Sequence, residues 1–355
     1  MDIISTVGPS FRKKHNFKSL EQAGSSAFRF NSSHMDEELV IKQVEYIQEK
    51  TNAKTILDLK GHKIRISSLI KSMRLNDGEE ILITSEEYAK NSNDTRRKLV
   101  LDVEFDFKRI FEKEKLFGKD GRITFYKQEI LCDEAAIYRV TGGGELSSGK
   151  GITAPYIDRM GLKITDKDKR DIKFALENRF DILYLSYVVE KNNVLEVKNY
   201  IRKLISLNSN YKFPKIYSKI ESDQGLENLK EILRVSDGIV LGRGDLYTEV
   251  SLLRYPQVEN DVIKKMKKSK KDLIIATHVL PSMRKRSKPV TSEVSDLYKF
   301  LTNGVNGVVL VSETSVASNP YNAVKFAKTF IDFNTNNTND TNGVKIANAE
   351  LVLLS

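Results

Sequence analysis

Short apolar segments alternate with amphipathic, helix-length segments along most of this chain, the pattern of parallel strands joined by helical crossovers. Eight segments read as strands, at 3–7, 27–31, 55–59, 182–186, 215–220, 238–241, 273–277 and 308–311. Helical partners read at 37–49, 166–177, 194–207, 225–235, 258–268, 292–302 and 321–333, several with an acidic residue, Ser or Thr near the start. Eight such units predict a (β/α)₈ barrel, a TIM barrel, whose chemistry sits at the C-terminal ends of its strands.

The rhythm breaks after the third strand. No helix of the series follows Asp58; instead alternating, Lys- and Glu-rich sequence intervenes before Lys150. Within it, GEEILITSEEY and GRITFYKQEI both look like hairpin strands of a small β domain. The expected division is a barrel from 1–66 and 150–333, a β-rich lid at 67–149, and a polar link with a short apolar tail at 334–355. Removing the insertion leaves about 250 residues, the usual barrel size.

Length and composition narrow the function classes. A chain of 355 residues with 40% apolar content can bury a full core. One cysteine, Cys132, and no apolar run of membrane-spanning length predict a soluble protein without a disulfide framework or membrane span. The N-terminus enters a strand-like segment at once and lacks a signal peptide's regions, so the expected location is the cytoplasm. The net charge of +10 suits phosphorylated and carboxylated small molecules as well as polyanions. Its densest run, KKMKKSKK, has no interleaved aromatic residue for base stacking and reads as a solvated helix face, so nucleic acid is not the expected partner.

The stretch from Lys215 to Asp245 reads as a site. Lys219 and Glu221 close one strand on the same face, and a second apolar run ends at Gly-Arg-Gly-Asp. Glycines there let backbone amides approach an anion, and Asp245 can hold a metal. Two hard oxygen ligands beside an ammonium suit Mg²⁺ and a phosphate. The alternative for Lys219 and Glu221 is an ordinary salt bridge inside the barrel mouth, and for Arg29 a pairing with a neighbouring carboxylate.

TVGPS, FRFNSSH, ILDLKGHKIR, GGGELSSGKGITAP, SKIESDQGLEN, SDGIVLGRGDL, IIATHVLPSM, SEVSD and the SET at Ser312 follow one another in order. Together they make the chain resemble the pyruvate kinase family from its start to the helix near Phe330. The resemblance implies Mg²⁺-dependent (or Mn²⁺-dependent) phosphoryl transfer between phosphoenolpyruvate and ADP, giving pyruvate and ATP. It implies Arg29 on the transferring phosphoryl group, Asn31 and Ser33 at a monovalent-cation site with Asn31 also near the nucleotide, and His34 facing the nucleotide. Lys219 would stabilise the phosphoryl group in flight and the enolate oxygen left behind, and Glu221 and Asp245 would be the metal ligands. The Gly244 and Asp245 amides would take the substrate carboxylate, with Thr277 near the carbon that receives a proton and Ser186 at a further substrate position. Arg65 and Lys150 would contact nucleotide phosphates, and Pro9 would flank the base or ribose. A homo-oligomer is compatible with the resemblance.

Departures from the family pattern refine these expectations. Leu59 and Lys63 stand where the cation-dependent branch has Thr and Glu, and match the cation-independent branch, as does the aliphatic Ile66; the Lys63 ammonium is expected to replace K⁺, so K⁺ is not required. His278, Pro281, Val189 and Val311 stand where the family has Gln, Glu, Arg and Ser, and Lys119-Asp120-Gly121 replaces Asp-Asp-Gly in the lid. These differences leave open a kinase of another small 2-hydroxy or 2-oxo acid, or a degenerate barrel that only binds. The sequence stops where the resemblance places the family's C-terminal regulatory domain, so regulation through that domain is not expected.

Overall fold

The structure is a computed structural model and describes residues 1–11, 15–119 and 121–337. Asp120 and the apolar tail of the sequence reading lie outside the described residues, as does the polar link beyond residue 337.

Eight parallel strands close into a barrel: Asp2–Thr6, Ala27–Asn31, Lys54–Asp58, Ile182–Leu185, Lys215–Ile220, Gly238–Gly242, Asp272–Ala276 and Gly307–Leu310. Neighbours in the barrel are neighbours in sequence, and the ring closes where the last strand pairs with the first, Ile3 opposite Val308. The interior holds Ile4, Ile56, Tyr184, Tyr217, Val240, Ile274 and Val309, while a larger outer core packs the opposite strand faces on the helices. Both faces of each strand are therefore dry, which is why the strands read as continuous apolar runs. Tyr217 crosses the interior only because Gly238 faces it: a Cβ there would lie 2.6 Å from the ring.

Five of the strands end one residue earlier than the sequence suggests. Val7, Leu59, Ser186, Thr277 and Val311 lie just beyond the ladders, where the chain turns across the barrel mouth. The helix after the first strand, His15–Ala23, was not expected from sequence, although Phe17, Leu20 and Ala23 recur every three residues and are buried in the outer core. The segment 225–235 is two helices, Asp223–Glu227 and Leu229–Val235, and the last helix runs Pro320–Asn337, past the Asn334 at which the sequence suggests a polar link. Asn334 and Thr335 bond back to the carbonyls of Phe330 and Ile331, so polar side chains here extend the helix.

The insertion forms a seven-stranded sheet with its own core, including Ile81, Leu99, Phe111, Phe125 and Tyr138. Burying such side chains contributes about 1.5–3 kcal/mol each, enough to make the lid a unit. Its outer members, Arg65–Ile66 and Ile152–Thr153, are the two strands through which the chain enters and leaves. The expected hairpin strand GEEILITSEEY is a strand only over Glu80–Thr84; Ser85 then caps the helix Glu86–Asn91 through the Tyr88 amide. GRITFYKQEI does form a hairpin strand, within Ile123–Cys132, paired with Ala135–Thr141. Among the described residues no helix is long and apolar enough to cross a membrane.

Candidate active site

The mouth of the barrel holds a cavity of about 180 Å³ lined by residues from seven of the eight strand ends. Arg29, Asn31, Asp58, Lys63, Arg65, Ser186, Lys219, Glu221, Gly244, Asp245 and Thr277 all reach it. Residues scattered over 250 positions of sequence thus meet because each sits at the C-terminal end of a strand or in the turn beyond it.

Asp58 is the hub, and sequence reasoning assigned it no role. Its Oδ2 accepts from Arg29 at 2.7 Å (Nε) and 2.6 Å (Nη2), and its Oδ1 lies 3.2 Å from the Lys219 ammonium. Burial alone would push the Asp58 carboxyl up, but Lys219 and Arg29 outweigh it and hold the group below its ordinary value. Arg29 also donates to Thr6 Oγ1 at 3.1 Å. The signal that could have found Asp58 is the one that found Glu221: a carboxylate closing an apolar strand.

Lys219 donates to Ser186 Oγ at 2.9 Å and pairs with Glu221 Oε1 at 3.0 Å. Burial lowers the affinity of this ammonium for its proton, yet Asp58 and Glu221 more than restore it, so Lys219 is a fixed cation. Glu221 is held from its other side by the Tyr187 amide, 3.0 Å from Oε2, and burial with Asp245 nearby pushes its carboxyl up despite Lys219. Gly242 is obligatory here, because a Cβ would lie 2.6 Å from Glu221 Cγ. Both ion-pair alternatives of the sequence reading are thus present, but they line a cavity rather than fill one.

Asp245 opens the helix Arg243–Glu249 and meets the Lys63 ammonium at 2.6 Å. Burial pushes its carboxyl up, and Lys63, with Lys219 and Arg65 behind it, overrides this to hold it at about 2. Among the described residues no hydrogen bond is made to its Oδ1. Glu221 and Asp245 therefore offer hard, ionisable oxygens on one wall, a set that fits Mg²⁺ or Mn²⁺ with substrate and water completing the shell. Among the described residues no cluster of three or more His, Cys, Asp or Glu side chains offers a fuller metal site.

Thr277 and His278 both adopt left-handed backbone, φ 68° and 54°, a costly state for a β-branched residue. Arg243, 1% exposed, holds them there: its Nε donates to the Thr277 carbonyl at 3.0 Å and its Nη2 to that of His278, while Nη1 pairs with Asp296 and Glu259. Thr277 Oγ1 in turn accepts from the Gly244 amide at 2.7 Å, so the donor expected to bind a substrate carboxylate is capped by this hydroxyl.

A second, adjoining cavity of about 270 Å³ is lined by Pro9, Asn31 and His34 with Phe11, Met35 and Leu39. His34 stays neutral, its pKa lowered to about 4 by burial and then by Arg65, Lys150, Lys63 and Arg29. Those four cations give this wall a positive field, although Arg29 and Lys63 are also paired with Asp58 and Asp245. Arg65 donates through Nη1 to the Gly149 carbonyl at 2.7 Å, while its buried Nε has no partner; Lys150 is exposed on the lid's return. Ser33 Oγ is also buried without a partner.

A barrel whose mouth gathers fixed cations and paired carboxylates beneath a lid is the architecture of a phosphotransferase. The family described as pyruvate kinase, barrel domain, matches residues 1–324, and the chain belongs to the pyruvate kinase family. It is 29% identical over 348 residues to a pyruvate kinase of Clostridium perfringens, covering 94% of this chain and 71% of that protein. A Thermotoga maritima pyruvate kinase is 30% identical over 331 residues, 91% of this chain and 68% of the relative. A Staphylococcus saprophyticus pyruvate kinase is 32% identical over 339 residues, of which this chain spans only 55% of the relative's length.

Proposed function

We propose that the chain transfers a phosphoryl group between phosphoenolpyruvate and ADP, giving pyruvate and ATP. The observation that carries this reading is the 180 Å³ cavity in which Arg29, Lys63 and Lys219 face Glu221 and Asp245. Arg29, oriented by Asp58, clamps the phosphoryl oxygens. Lys219, oriented by Ser186, carries its charge to the phosphoryl group and to the oxygen that becomes an enolate. As the phosphorus–oxygen bond breaks, its electron pair stays on that oxygen, and the ADP oxygen forms the new bond in line. The enolate carbon then takes a proton, relayed through water by the Thr277 hydroxyl, which is too weak an acid to act alone.

Glu221 and Asp245 would hold Mg²⁺ or Mn²⁺, which when bound would supply Lewis-acid withdrawal of charge from the substrate. The substrate carboxylate docks on the Gly244 and Asp245 amides, displacing the Thr277 hydroxyl from Gly244. Pro9, Asn31 and His34 receive the nucleoside in the 270 Å³ cavity, and Arg65 and Lys150 take its phosphates. Lid closure excludes water that would compete as acceptor. Lys63 replaces a monovalent cation, so no K⁺ is needed.

Phosphorus NMR tests the reaction: phosphoenolpyruvate, ADP and Mg²⁺ in K⁺-free buffer should yield ATP. Absence of transfer with every nucleoside diphosphate would overturn it. Val311 on the cavity wall, in place of the family's serine, favours a second reading in which a related 2-oxo or 2-hydroxy acid is preferred. A parallel screen of such acids with ATP separates the two.

A further inference from the structure

A cavity of about 710 Å³ lies between lid and barrel and shares no lining residue with the candidate active site. Its size is within the roughly 300–1,000 Å³ typical of small-molecule sites. Phe117 of the lid, Tyr156 on the lid's return, and Tyr247 and Leu252 of the barrel supply its apolar walls.

Tyr156 is the informative residue. It is an aromatic side chain 53% exposed, and its backbone is left-handed, φ 56°. Such a conformation costs a non-glycine residue about 1–3 kcal/mol and persists only where its surroundings impose it. The imposing group is Glu249: Oε2 accepts from the Tyr156 amide at 3.0 Å, and Oε1 pairs at 3.2 Å with Arg159, both side chains 1% exposed. Thus a fully buried ion pair holds an exposed ring in a strained pose at the cavity wall. On the opposite rim Leu252 is 72% exposed and its neighbour Leu253 is 94% exposed, a contiguous apolar edge beside an aromatic cleft.

The rim charges select the ligand's sign. Glu249 is committed to Arg159, and Glu114 pairs with Lys127 at 2.7 Å. Lys113 has no ion-pair partner among the described residues, and Lys115 rests over the Tyr126 ring at 5.0 Å. Among the described lining residues, Glu112 is the one carboxylate without an ion pair. We infer that this cleft is a second binding site, for a planar aromatic molecule bearing an anionic group, its ring among Phe117, Tyr156 and Tyr247 and its charge at Lys113 and Lys115.

Occupancy reaches the candidate active site through one helix. Tyr247 and Thr248 follow Asp245 on the helix Arg243–Glu249, and Thr248 Oγ1 donates to the Asp245 carbonyl at 2.8 Å and lies 3.1 Å from Thr153 Oγ1 on the lid's return strand. A ligand touching both walls therefore favours one lid position, and shifts lid closure by as much as its affinities for the two positions differ.

The test is a fluorescence titration of the full chain with 1-anilinonaphthalene-8-sulfonate, an aromatic anion. One saturable site is expected, still filled when ADP and phosphoenolpyruvate are bound, with an affinity shifted only as far as lid closure is coupled to it. Tyr156→Gly, which removes the ring and suits the left-handed backbone, and Leu252→Glu, on the exposed rim, should each weaken it at least tenfold, with melting temperatures confirming that both fold. Absence of saturation, equal affinity in both variants, or loss of the site when ADP is bound overturns the assignment. It is equally overturned if sedimentation velocity shows that Leu252→Glu dissociates a dimer, since a second copy would then fill the cleft, or if the probe binds only after residues 338–355 are removed.

Discussion

Replacing Lys63 by Met isolates the cation that the sequence offers in place of K⁺. The substitution keeps most of the side chain's volume and removes an ammonium 2.6 Å from Asp245 Oδ2. Breaking a buried pair by deleting one partner costs about 3–5 kcal/mol, because the other charge is left uncompensated. These side chains are 21% and 18% exposed, so solvent screens part of the loss, and about 2–3 kcal/mol is expected. The gap between Asp245's ordinary value of 3.8 and the value of about 2 it holds here corresponds to a similar energy. Urea unfolding at pH 7 reads the stability loss. Phosphorus NMR in tetramethylammonium buffer reads the catalytic one, expected at about 10²–10³-fold for a lost charge in a water-excluded site. Added K⁺ should recover part of that activity in Lys63→Met and change nothing in the wild type. A wild type that needs K⁺, or a variant within threefold of it in rate and within about 0.5 kcal/mol in stability, refutes the reasoning.

Asp58→Asn should destabilise the fold by about 3–5 kcal/mol in urea, since Arg29 and Lys219 lose the carboxylate between them; a loss below about 1 kcal/mol would show that Asp58 is not the hub. Glu221→Gln and Asp245→Asn should each weaken Mn²⁺ binding, read by electron paramagnetic resonance, at least tenfold, and unchanged affinity would remove them as ligands. Asp168 gives a pH test: burial raises its carboxyl to about 6, against the Gly61 amide bond at 3.2 Å. The folded state then holds more protons than the unfolded one between pH ~3.8 and ~6, so stability falls as pH rises through that window. Asp168→Asn should remove the slope, gaining about 2–3 kcal/mol at pH 7 and nothing below pH 4; a parallel pH profile would contradict the assignment.

The barrel was legible because each strand is dry on both faces and a charged or polar residue lies at or just beyond several of the strand ends. Lys219, Glu221 and Asp245 stood out for the same reason: charges closing apolar runs at intervals that put them on one rim. Asp58 carries the identical signal in ILDLK but was passed over, since its meaning lies in partners 29 residues before it and 161 residues after it. Arg159 and Glu249 could not be paired from sequence at all; only the return of the chain from the lid brings them together. The strand and helix within GEEILITSEEY failed for a local reason, alternation in EILIT running without a break into a Ser-Glu-Glu helix start. Thr277 was placed inside its strand because β-branched residues favour extended backbone, and the Arg243 guanidinium that overrides this preference is long-range in origin.

The central claim is that one fixed ammonium, set among Asp58, Ser186 and Glu221, carries the transferring group. Single-turnover phosphorus NMR on Lys219→Met, with its melting temperature recorded alongside, measures it directly. Transfer from phosphoenolpyruvate to ADP should fall by about 10³-fold or more while the variant stays folded. Transfer at the wild-type rate by the folded variant would contradict the account.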